Sequence, residues 1–582
     1  MEYSQEEIKI APWLKSYGDV PFHLEYPDFS MSDALFESAR KYPKQVALTF
    51  EGKHTTYEKL VPQIRQAEKS FRAMGIKEGD TVTICMPNMP QTVICMYAVN
   101  AIGAIASMIH PLSAVHEIAF YLKEAGSHTL ITIDQFYNKA KKVRELVSLD
   151  HLIIARISDA LGCVKSLAYK FLKERKFEKY TEDGTLISWK TFLRKAAECK
   201  EDPSVRKTGD ELAVVLFSGG TTGVTKGIKL TNRNFNALAK QTGVMCNKPV
   251  IGTTMLAAMP MFHGFGLGVC VHTMMFWAGR SVLVPQVSVK GYSKLLKTVQ
   301  PNYIAGVPTL YEGITRNKEM DNVDLSCLMG VFSGGDSLSI ELKKKLDKFL
   351  ADHGSTVRVR EGYGTTECVT ASCLTPYNKE KEGSIGLPYP DTYYIICEPG
   401  TQKEVPYGTD GEICLRGPSV MMGYINHEEE NSQTLQKHAD GYTWLHTGDM
   451  GWMDEEGFIY FKQRIKRMII TSGYNVYPSQ IENIIDGMDE VQMSCVIGVP
   501  DPYKIQKVKA FVQPAPGIVP SEELKQNILA YLRDRVAKYA MPYDVEFREQ
   551  LPKTLVGKIA YTVLEKEEEE KRKAAEGSAD HS

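Results

Sequence analysis

The stretch LFSGGTTGVTKGIKLTNRN, residues 216–234, decides the fold because it joins two strand-like runs through a loop of glycines and hydroxyl residues. β-Branched residues at 213–217 and 228–230 predict the two strands, with no helix signal between them. A nucleotide-triphosphatase P-loop needs glycine before its lysine and a hydroxyl residue after it. Here Thr225 precedes Lys226 and Gly227 follows it, which excludes that P-loop. The stretch instead predicts a mobile loop whose N–H groups and lysine can wrap a polyphosphate.

Composition limits the classes of function. A chain of 582 residues is expected to form roughly two to four domains. The net charge of −2 and the lack of a long basic tract argue against nucleic acid as the main partner. The twelve cysteines are scattered without a CxxC pair, which favours reduced thiols in the cytoplasm. No signal peptide or membrane-spanning run is evident, so any membrane contact is expected to be peripheral.

The pattern along the chain predicts layered α/β architecture. Helix-like and β-rich runs alternate over 31–154, again after 213 and over 281–331, as in largely parallel sheets. From Gly411 onward, hairpin strands with glycine turns are expected. A compact pattern from 479 to 564 predicts a small C-terminal domain. The tail, 565–582, contains only charged and small residues apart from its histidine, and it predicts a frayed helix or disorder without chemistry.

A basic segment, RISDALGCVKSLAYKFLKERKFEKY (156–180), separates the two α/β halves. Many lysines and arginines alternate with apolar residues, namely Leu161, Val164, Leu167, Ala168, Phe171 and Leu172. Two interpretations are open. A basic amphipathic helix can lie on an anionic membrane surface. Alternatively, the helix packs on its own domain and exposes a solvated basic face.

Further motifs follow the glycine loop in a fixed order: EGYGTTE (361–367), TWLHTGDMG (443–451), KQRIKRMIITSGYNVYPSQIE (462–482) and PKTLVGKIAY (552–561). Together they resemble the adenylate-forming superfamily of acyl-CoA synthetases, peptide-synthetase adenylation domains and luciferases, over about 31–564. The SGGTTG loop, the RGPSVMMGY stretch, the GYNVYP turn and the basic insert are most similar to bacterial long-chain fatty acyl-CoA synthetases.

This resemblance implies an α/β fold with two domains. A large N-terminal AMP-binding domain, 1–465, would combine layered α/β subdomains with a β-rich subdomain. A small mobile α+β domain, 466–564, would carry the hinge, the adenylation lysine and the CoA face. The implied protein is cytoplasmic, and whether it also contacts the inner face of the membrane depends on which interpretation of the basic segment holds.

The implied activity is a magnesium-dependent ligase that activates a long- or medium-chain fatty acid with ATP. An acyl-adenylate forms, the acyl group passes to CoA, and AMP and pyrophosphate leave. Two alternatives stay open. The same chemistry could act on an aromatic, bile or other carboxylic acid, or on an acyl carrier protein. A non-catalytic relative would bind lipid or nucleotide, but it would have no need of the adenylation lysine.

Adenylation needs cations around the phosphates and an aimed carboxylate. The resemblance assigns the phosphate loop to Ser218, Thr221, Thr222, Gly223 and Lys226. It assigns the α-phosphate to Thr366 and a magnesium ion to Glu367, since carboxylate oxygen suits that ion. Alone, Lys226 would be a surface lysine and the TTE sequence a helix cap. The motifs around them favour the functional interpretation.

The adenine base is assigned to two motifs. Tyr363 offers a flat face to adenine, and Gly364 and Thr365 continue that loop. The stretch SGGDSL (333–338) borders adenine in the family and contributes Gly334, Gly335 and Asp336, of which the last replaces a small residue.

The ribose and the reacting phosphate have their own assigned residues. Asp449 can accept hydrogen bonds from both ribose hydroxyls, and Arg464 is expected beside it. A hairpin turn with an incidental Asp–Arg pair is the alternative. Lys558 resembles the lysine that bridges the carboxylate and the α-phosphate, and its loss is expected to lower the rate about a hundredfold or more.

The small domain is expected to take part in both half-reactions, first in adenylation and then in thioester formation. Lys466 falls at the family's hinge, and Gly473 and Tyr474 fall on the strand that would line the pantetheine tunnel after the domain swings. Because CoA itself supplies the attacking thiol, the reaction needs no covalent nucleophile from the enzyme.

The acyl pocket is predicted from MPMFHGFGLGVC (259–270). His263 matches a family position between the acyl and nucleotide sites, and the missing side chains of Gly264 and Gly268 would open space. Val307 and Pro308 would form the opposite wall, and Gly364 would also contact the acid. Each buried methylene contributes about 0.8 kcal/mol, so tunnel depth decides chain length.

Four residues depart from the family pattern: Gln463, Asn232, Ile505 and Gln506. Gln463 precedes Arg464 where many relatives have glycine or aspartate, and Asn232 stands where they have histidine. Ile505 and Gln506 replace a Gly–Glu pair. Every charged residue assigned above is nevertheless present.

Overall fold

The computed structural model describes residues 3–217, 225–471, 474–501, 503–533, 535–554 and 557–579. Some residues with a predicted role lie outside this part of the chain, namely Ser218, Thr221, Thr222, Gly223 and Gly473. The other predicted site residues can be located.

The opening stretch belongs to the first of two large sheets. Its flanks form the strands Leu212–Phe217 and Gly227–Thr231, which pair antiparallel with Phe217 opposite Gly227, as predicted. The spatial order of this sheet is Gly423–Tyr424, Gly227–Thr231, Leu212–Phe217, Ile105–Met108, Thr81–Cys85, Thr129–Ile133, His151–Ala155 and Leu186–Ser188. From Leu212–Phe217 to Leu186–Ser188 the pairing is parallel, and the central strands are rich in buried β-branched residues, as sheets covered on both faces require.

The second large sheet carries two of the candidate loops. Its spatial order is Leu387–Pro388, Cys373–Leu374, Val359–Tyr363, Gly330–Ser333, Tyr303–Gly306, Thr254–Ala257, Arg280–Leu283, Val46–Phe50 and Lys53–Thr56. The pairing is parallel from Val359–Tyr363 to Val46–Phe50. Gly330–Ser333 and Val359–Tyr363 therefore end at the same edge, where open α/β sheets bind their ligands.

Helices cover both sheets, and several begin at a side-chain cap. Ser30 caps Met31–Lys41, Thr231 caps Asn232–Met245 and Ser339 caps Ile340–Asp352. The other helices of the N-terminal part are Gln5–Ile10, Tyr57–Ala73, Pro90–Ala101, Val115–Glu124, Tyr137–Leu146, Ile157–Ala160, Cys163–Leu172, Trp189–Arg194, Thr273–Phe276, Val289–Val299, Pro308–Thr315 and Glu428–Thr434. Phe265–His272 is a fully buried π-helix, which interrupts regular α-helical geometry near the predicted acyl pocket.

A β-rich subdomain, residues 393–464, follows the second sheet. Its antiparallel strands are Tyr393–Cys397, Gly411–Arg416, Leu435–Lys437, Thr443–Met453 and Ile459–Arg464. The hairpins expected after Gly411 are thus confirmed. One of them places Asp449 directly opposite Arg464.

The C-terminal part has its own apolar core. Its sheet consists of Tyr474–Val476, Ile469–Thr471, Ile505–Pro514, Val491–Asp501 and Asp544–Phe547, with the helices Pro478–Ile485, Glu522–Arg533 and Tyr561–Ala579. The short 3-10 helix Ile465–Arg467 links it to the β-rich subdomain. The predicted hinge residue Lys466 lies in this link.

The charged tail does not behave as predicted from composition. The helix Tyr561–Ala579 runs through the boundary at 564 instead of fraying there. Lys509 is buried, and its ammonium lies 2.9 Å from the Glu568 carboxylate and 2.7 Å from that of Glu546. Arg548 pairs with Glu567 at 2.6 Å. Because buried lysine needs counter-ions, acidic residues of the tail belong to the packed domain.

The basic segment also differs from its prediction as one helix. It contains Ile157–Ala160, Cys163–Leu172 and the 3-10 helix Glu174–Lys176. In Cys163–Leu172, none of the described residues is buried. Tyr169 packs partly against the core, whereas Val164, Leu167, Phe171 and Leu172 are exposed. Among the described helices, moreover, none is both long and apolar enough to cross a bilayer.

Candidate active site

A cavity of about 1510 Å³ lies where the edges of the two large sheets meet the β-rich subdomain and the C-terminal domain. It contains most of the predicted residues that the structure describes: Lys226, His263, Pro308, Gly335, Asp336, Tyr363, Gly364, Thr365, Thr366, Glu367, Asp449, Arg464, Lys466 and Lys558. Residues from motifs more than 300 positions apart thus surround one space.

The carboxylate of Asp449 is deeply enclosed in this cavity. Tyr363 donates its hydroxyl to Oδ2 at 2.7 Å, and Nε of Arg464 lies 3.4 Å from Oδ1. Burial raises the pKa of Asp449, whereas the charge of Arg464 opposes that change. Within the described residues Oδ1 accepts no hydrogen bond. A buried acceptor of this kind suits a ligand hydroxyl, because an unpaired one costs about 1–3 kcal/mol.

Tyr424 stands between two predicted phosphate-site residues. Its hydroxyl donates to Glu367 Oε1 at 2.9 Å, and Nζ of Lys226 lies 5.0 Å from the centre of its ring. Nζ of Lys226 also lies 3.4 Å from Oε1 of Glu430. Tyr424 therefore contacts both the carboxylate of Glu367 and the ammonium of Lys226, which come from different segments of the chain and both line the cavity.

The TTE turn around Glu367 carries backbone strain. The turn follows the strand Val359–Tyr363, and beyond it Val369 has φ +66° and Thr370 has φ +148°. β-Branched residues rarely adopt such angles, which cost about 1–3 kcal/mol each. Strain of this kind is concentrated at functional sites and persists only where the surrounding packing enforces it.

Lys558 points into the same space from the C-terminal domain. Its backbone closes a turn with Thr554, and the carbonyl of Gly557 accepts a hydrogen bond from Thr309 of the N-terminal domain at 3.1 Å. Burial lowers the pKa of Lys558, while the charges of Asp336 and Asp449 raise it. The two carboxylates therefore stabilise the ammonium form.

His263 is a neutral imidazole at the wall of the cavity. Burial, assisted by the charge of Lys558, lowers its pKa to about 3. Its Nδ1 accepts the backbone N–H of Phe265 at 3.2 Å, so the ring proton resides on Nε2. The side chain can therefore donate one hydrogen bond to a ligand oxygen.

The glycines of the predicted acyl pocket have another role. A Cβ on Gly264 would lie 1.5 Å from the Val369 carbonyl oxygen, and one on Gly268 would lie 2.6 Å from Leu238. The prediction that Gly264 and Gly268 leave open space for the acid is therefore wrong. They let the π-helix pack against the strained segment after Glu367.

Two other predicted residues, Gly334 and Val307, lie behind the cavity wall and not among the residues that line it. A Cβ added to Gly335 would lie 3.6 Å from Val307 and 3.7 Å from Cε of Lys558, and Gly335 itself has φ +82°. A Cβ on Gly334 would lie 3.0 Å from the Gly362 carbonyl. Val307 precedes the helix Pro308–Thr315, whose first residue lines the cavity.

Of the two residues assigned to the CoA face, Tyr474 is described by the structure, and it lies apart from this cavity. Tyr474 is 56% exposed and stacks on Tyr539 with ring centres 4.5 Å apart, outside the residues that surround the cavity. Its role in a pantetheine tunnel stays a prediction for another arrangement of the domains.

Two residues of the cavity were not assigned a role from the sequence: Tyr424 was not noticed, and Gln463 was noted only as a departure from the family pattern. Tyr424 belongs to the RGPSVMMGY stretch, whose spacing gave no sign of contact with Glu367 or Lys226. Gln463 is 2% exposed and lines the cavity, and neither end of its amide has a partner among the described residues. A buried unpaired amide signals a ligand or water contact.

Two other departures are structural. Asn232 is buried, accepts the N–H of Met31 at 3.0 Å and thereby fixes the start of the helix Met31–Lys41. Ile505 has φ +71°, an angle that suits the family's glycine better than isoleucine. The amide of Gln506 accepts the N–H of Ile470 at 2.8 Å.

Comparison with known proteins agrees with this geometry. The model of the AMP-binding enzyme family matches residues 35–425, and that of the AMP-binding enzyme C-terminal domain matches residues 480–558. A long-chain-fatty-acid–CoA ligase of Bacillus subtilis (strain 168) is 34% identical over 571 residues, covering 96% of this chain and 98% of the relative. A protein of the same name from Yersinia pestis is 33% identical over 569 residues, covering 96% and 98%.

Solved structures agree in fold. An anthranilate CoA ligase, AuaEII, in complex with anthranoyl-AMP aligns with a TM-score of 0.79 at 22% identity, covering 94% of this chain and 98% of that one. ATP-bound MatB from Rhodopseudomonas palustris also gives a TM-score of 0.79, at 23% identity, covering 92% and 98%. The predicted fold class and the resemblance to adenylate-forming enzymes are confirmed: the chain belongs to the family of AMP-binding enzymes.

Proposed function

We propose that this protein is an AMP-forming acyl-CoA ligase that activates a fatty acid. The observation that carries the proposal is the convergence of Lys558, Asp449, Glu367, Lys226 and His263 on one cavity. The names of the full-length bacterial relatives support a fatty acid as substrate. Met108, Ile109 and Phe262 add apolar surface to the cavity wall, as an alkyl chain requires.

The nucleotide is held mainly by residues of the N-terminal domain. Asp449 accepts the ribose hydroxyls, and Tyr363 offers its ring to adenine while its hydroxyl orients that carboxylate. Arg464 balances the charge of Asp449 and faces the phosphates. Thr366 donates to the α-phosphate. Such preorganised donors stabilise charge where it develops.

A magnesium ion fits the acidic side of the cavity. Glu367 has a carboxylate, of which one oxygen already accepts Tyr424, and the other can coordinate an oxygen-preferring cation. When bound, the ion neutralises phosphate charge during loss of pyrophosphate. Lys226 contributes a second positive charge to the β and γ phosphates.

The adenylation step depends on Lys558. Its ammonium bridges the attacking carboxylate and the α-phosphate, so that two anions can approach one another. The Nε2–H of His263 donates to the carboxylate from the acyl side. CoA then attacks the acyl-adenylate, after the C-terminal domain has turned about Lys466.

The first experiment measures AMP release from ATP with carboxylic acids of different chain length and ring content, with and without CoA. Lys558→Ala is expected to lower the rate about a hundredfold, because the charge between the two anions is lost. Exposed Lys504→Ala, in the same domain, is the control and is expected to leave the rate unchanged. Equal rates for Lys558→Ala and the wild type would contradict the assigned mechanism.

The choice of acid tests the substrate class separately. AMP release that requires fatty acids and rises with CoA supports the proposal. Release with ring acids alone would overturn the fatty-acid assignment but leave the ligase chemistry in place. Each further methylene in the tunnel is expected to tighten binding by about 0.8 kcal/mol until its depth is exceeded.

Peripheral membrane contact is proposed for the helix Cys163–Leu172. The exposed fractions of Val164, Leu167, Phe171 and Leu172 are 84%, 59%, 64% and 63%, and their spacing places them on one face. Exposed basic residues flank this face, namely Lys165, Lys170, Lys173, Arg175 and Lys176. An apolar stripe bordered by cations suits the surface of an anionic bilayer.

Co-sedimentation with vesicles tests this contact. We expect the protein to bind vesicles that contain phosphatidylglycerol and to bind pure phosphatidylcholine weakly. Combined Val164→Ser, Leu167→Ser, Phe171→Ser and Leu172→Ser is expected to lower the bound fraction at least tenfold, because the inserted surface is lost. Val519→Ser removes an equally exposed valine elsewhere as a control. Unchanged partition of the fourfold variant would reject the contact.

A further inference from the structure

A buried cluster of metal-binding side chains lies in the β-rich subdomain, behind the candidate ribose site. Glu412 and Cys414 belong to the strand Gly411–Arg416, and His446 belongs to the neighbouring strand, where it pairs directly with Cys414. Their exposed fractions are 6%, 0% and 6%. Nothing in the adenylation chemistry needs a thiol here.

The distances within the cluster fit a small coordinated ion. Nδ1 of His446 lies 3.0 Å from Oε2 of Glu412 and 3.4 Å from Sγ of Cys414. One ligand atom from each residue lies within 4.8 Å of the others. A tetrahedral zinc ion with bonds of about 2.0–2.3 Å separates its ligand atoms by about 3.3–3.8 Å. Small side-chain movements would therefore complete such a geometry.

Cys397 supplies a fourth candidate ligand from the opposite side. It lies on the strand Tyr393–Cys397 directly opposite Glu412, and it is fully buried beside Cys414 and Trp444. Only Glu412, Cys414 and His446 already bring their ligand atoms within 4.8 Å of one another. The thiol of Cys397 would complete a set of two thiols, an imidazole and a carboxylate, which suits a zinc-type ion.

A second histidine can orient the first. Nε2 of His438 lies 2.9 Å from Nε2 of His446, and burial lowers the pKa of His438. Without metal, Nδ1–H of His446 donates to Glu412, and its Nε2 accepts from His438. With metal on Nδ1, the proton of His446 resides on Nε2 and donates to His438, in its other tautomer. Metal-bound histidines are commonly fixed by such a partner.

We propose that Cys397, Glu412, Cys414 and His446 form a binding site for zinc or a similar thiophilic divalent cation. The ion has an entry path, because Glu412 and His446 also line the active-site cavity. Binding releases the protons of the two thiols, as thiolate coordination requires.

Such a site lies one side chain away from the candidate ribose carboxylate. Oε1 of Glu412 accepts the N–H of Gly448 at 2.9 Å, and Gly448 directly precedes Asp449. An ion that draws Glu412 toward Cys414 would therefore move the turn that carries Asp449. The consequence for ATP binding through Asp449 rests on the proposed function, whereas metal binding itself does not.

The test uses the full chain without substrates. Chelator-treated, reduced protein is titrated with cobalt(II) and, separately, with zinc, followed by desalting and elemental analysis. We expect one ion per chain and the visible absorption of tetrahedral, thiolate-bound cobalt, which zinc abolishes. Cys414→Ser and Cys397→Ser are each expected to weaken binding at least about tenfold. Cys163→Ser removes an exposed thiol as the matched control.

Distinct outcomes would overturn the proposal. Stoichiometric metal that persists in the Cys397→Ser, Cys414→Ser double variant, or that disappears in Cys163→Ser, would locate the ion elsewhere. Octahedral cobalt spectra in the wild type would reject the thiolate ligands. Circular dichroism verifies that each variant is folded, and displacement of cobalt from the wild type by zinc supplies a result independent of any substitution. AMP release is measured separately, so failure of this site leaves the ligase assignment untouched.

Discussion

At the scale of single residues, the candidate site depends on how Asp449 is oriented. Tyr363 and Arg464 contact its two oxygens from different elements, so the carboxylate cannot turn without losing one of them. A buried carboxylate held in this way is prepared for two hydroxyl groups before the nucleotide arrives. Removing either contact should therefore weaken nucleotide binding more than the chemical step.

Tyr363→Phe tests this orientation. The variant keeps the ring that faces adenine but loses the hydroxyl that donates to Asp449. A hydrogen bond to a charged group contributes about 1.5–3 kcal/mol, so KM for ATP is expected to rise about tenfold or more with little change in kcat. Steady-state AMP release measures both constants. Tyr460→Phe, in the β-rich subdomain that carries Asp449, is the control. An unchanged KM for Tyr363→Phe would show that the Tyr363 hydroxyl does not orient Asp449 for nucleotide binding.

The residues with chemical roles could be predicted from sequence because their motifs are local. Glu367, Asp449, Arg464 and Lys558 each stand in a short stretch whose order along the chain is informative. Tyr424 could not be found this way, since its contacts with Glu367 and Lys226 arise from pairing between distant strands. Likewise, Gln463 is buried in a cavity wall whose other residues come from distant parts of the chain.

At the scale of elements, the π-helix Phe265–His272 and the strained turn after Glu367 form one packed unit. Gly264 allows the helix to begin against the carbonyl of Val369, and Val369 holds a left-handed conformation there. The sequence showed glycines beside an apolar run, which indicates either a widened pocket or close packing. The position of the segment around Val369, about a hundred residues away, shows that close packing is the correct interpretation.

Gly264→Ala is expected to destabilise this unit. Its Cβ would meet a backbone oxygen at 1.5 Å, so a main-chain shift is required, at a cost of about 3 kcal/mol. The midpoint of thermal unfolding, followed by circular dichroism, measures the loss. Gly162→Ala is the matched control, because its Cβ meets nothing within 4 Å and the effect should stay within about 0.5 kcal/mol. Equal midpoints for both variants would contradict this account of the packing.

Composition misled the prediction for the last helix for a comparable reason. A run of lysines and glutamates is typical of solvated chain, yet the Glu568 carboxylate neutralises the buried ammonium of Lys509. Charge patterns reveal whether a segment can be solvated. They do not reveal whether a buried charge elsewhere in the domain needs a counter-ion from that segment.

At the scale of the whole molecule, buried neutral histidines limit stability in acid. His272 is fully buried between the hydroxyl of Tyr97 and the amide oxygen of Asn236, at 2.9 and 3.0 Å. Burial lowers its pKa from 6.5 to about 3. Between pH 6.5 and about pH 3, His272 binds a proton in the unfolded chain but not in the folded chain, so the free energy of unfolding falls as the pH decreases.

His272→Gln is expected to remove part of this acid sensitivity. Below pH 6.5, the free energy of unfolding of the wild type should fall by about 1.4 kcal/mol per pH unit more than that of the variant. The variant lacks the imidazole that the unfolded wild type protonates. Urea unfolding at pH 7, 6 and 5 measures the slope, which does not depend on the free energy of unfolding from which the variant starts. Exposed His116→Gln serves as the control. Parallel slopes for His272→Gln and the wild type would show that His272 accepts a proton in the folded state.

The pairing of Lys226 with Glu430 changes how nucleotide arrival should be pictured. In the structure this lysine already has an anion, and His427 lies 3.5 Å from the same carboxylate oxygen. On the proposed function, an incoming triphosphate therefore replaces Glu430 as the counter-ion of Lys226. The release of Glu430 is thus part of every binding event, and the affinity for ATP measures a difference between two counter-ions, one of which the chain carries itself.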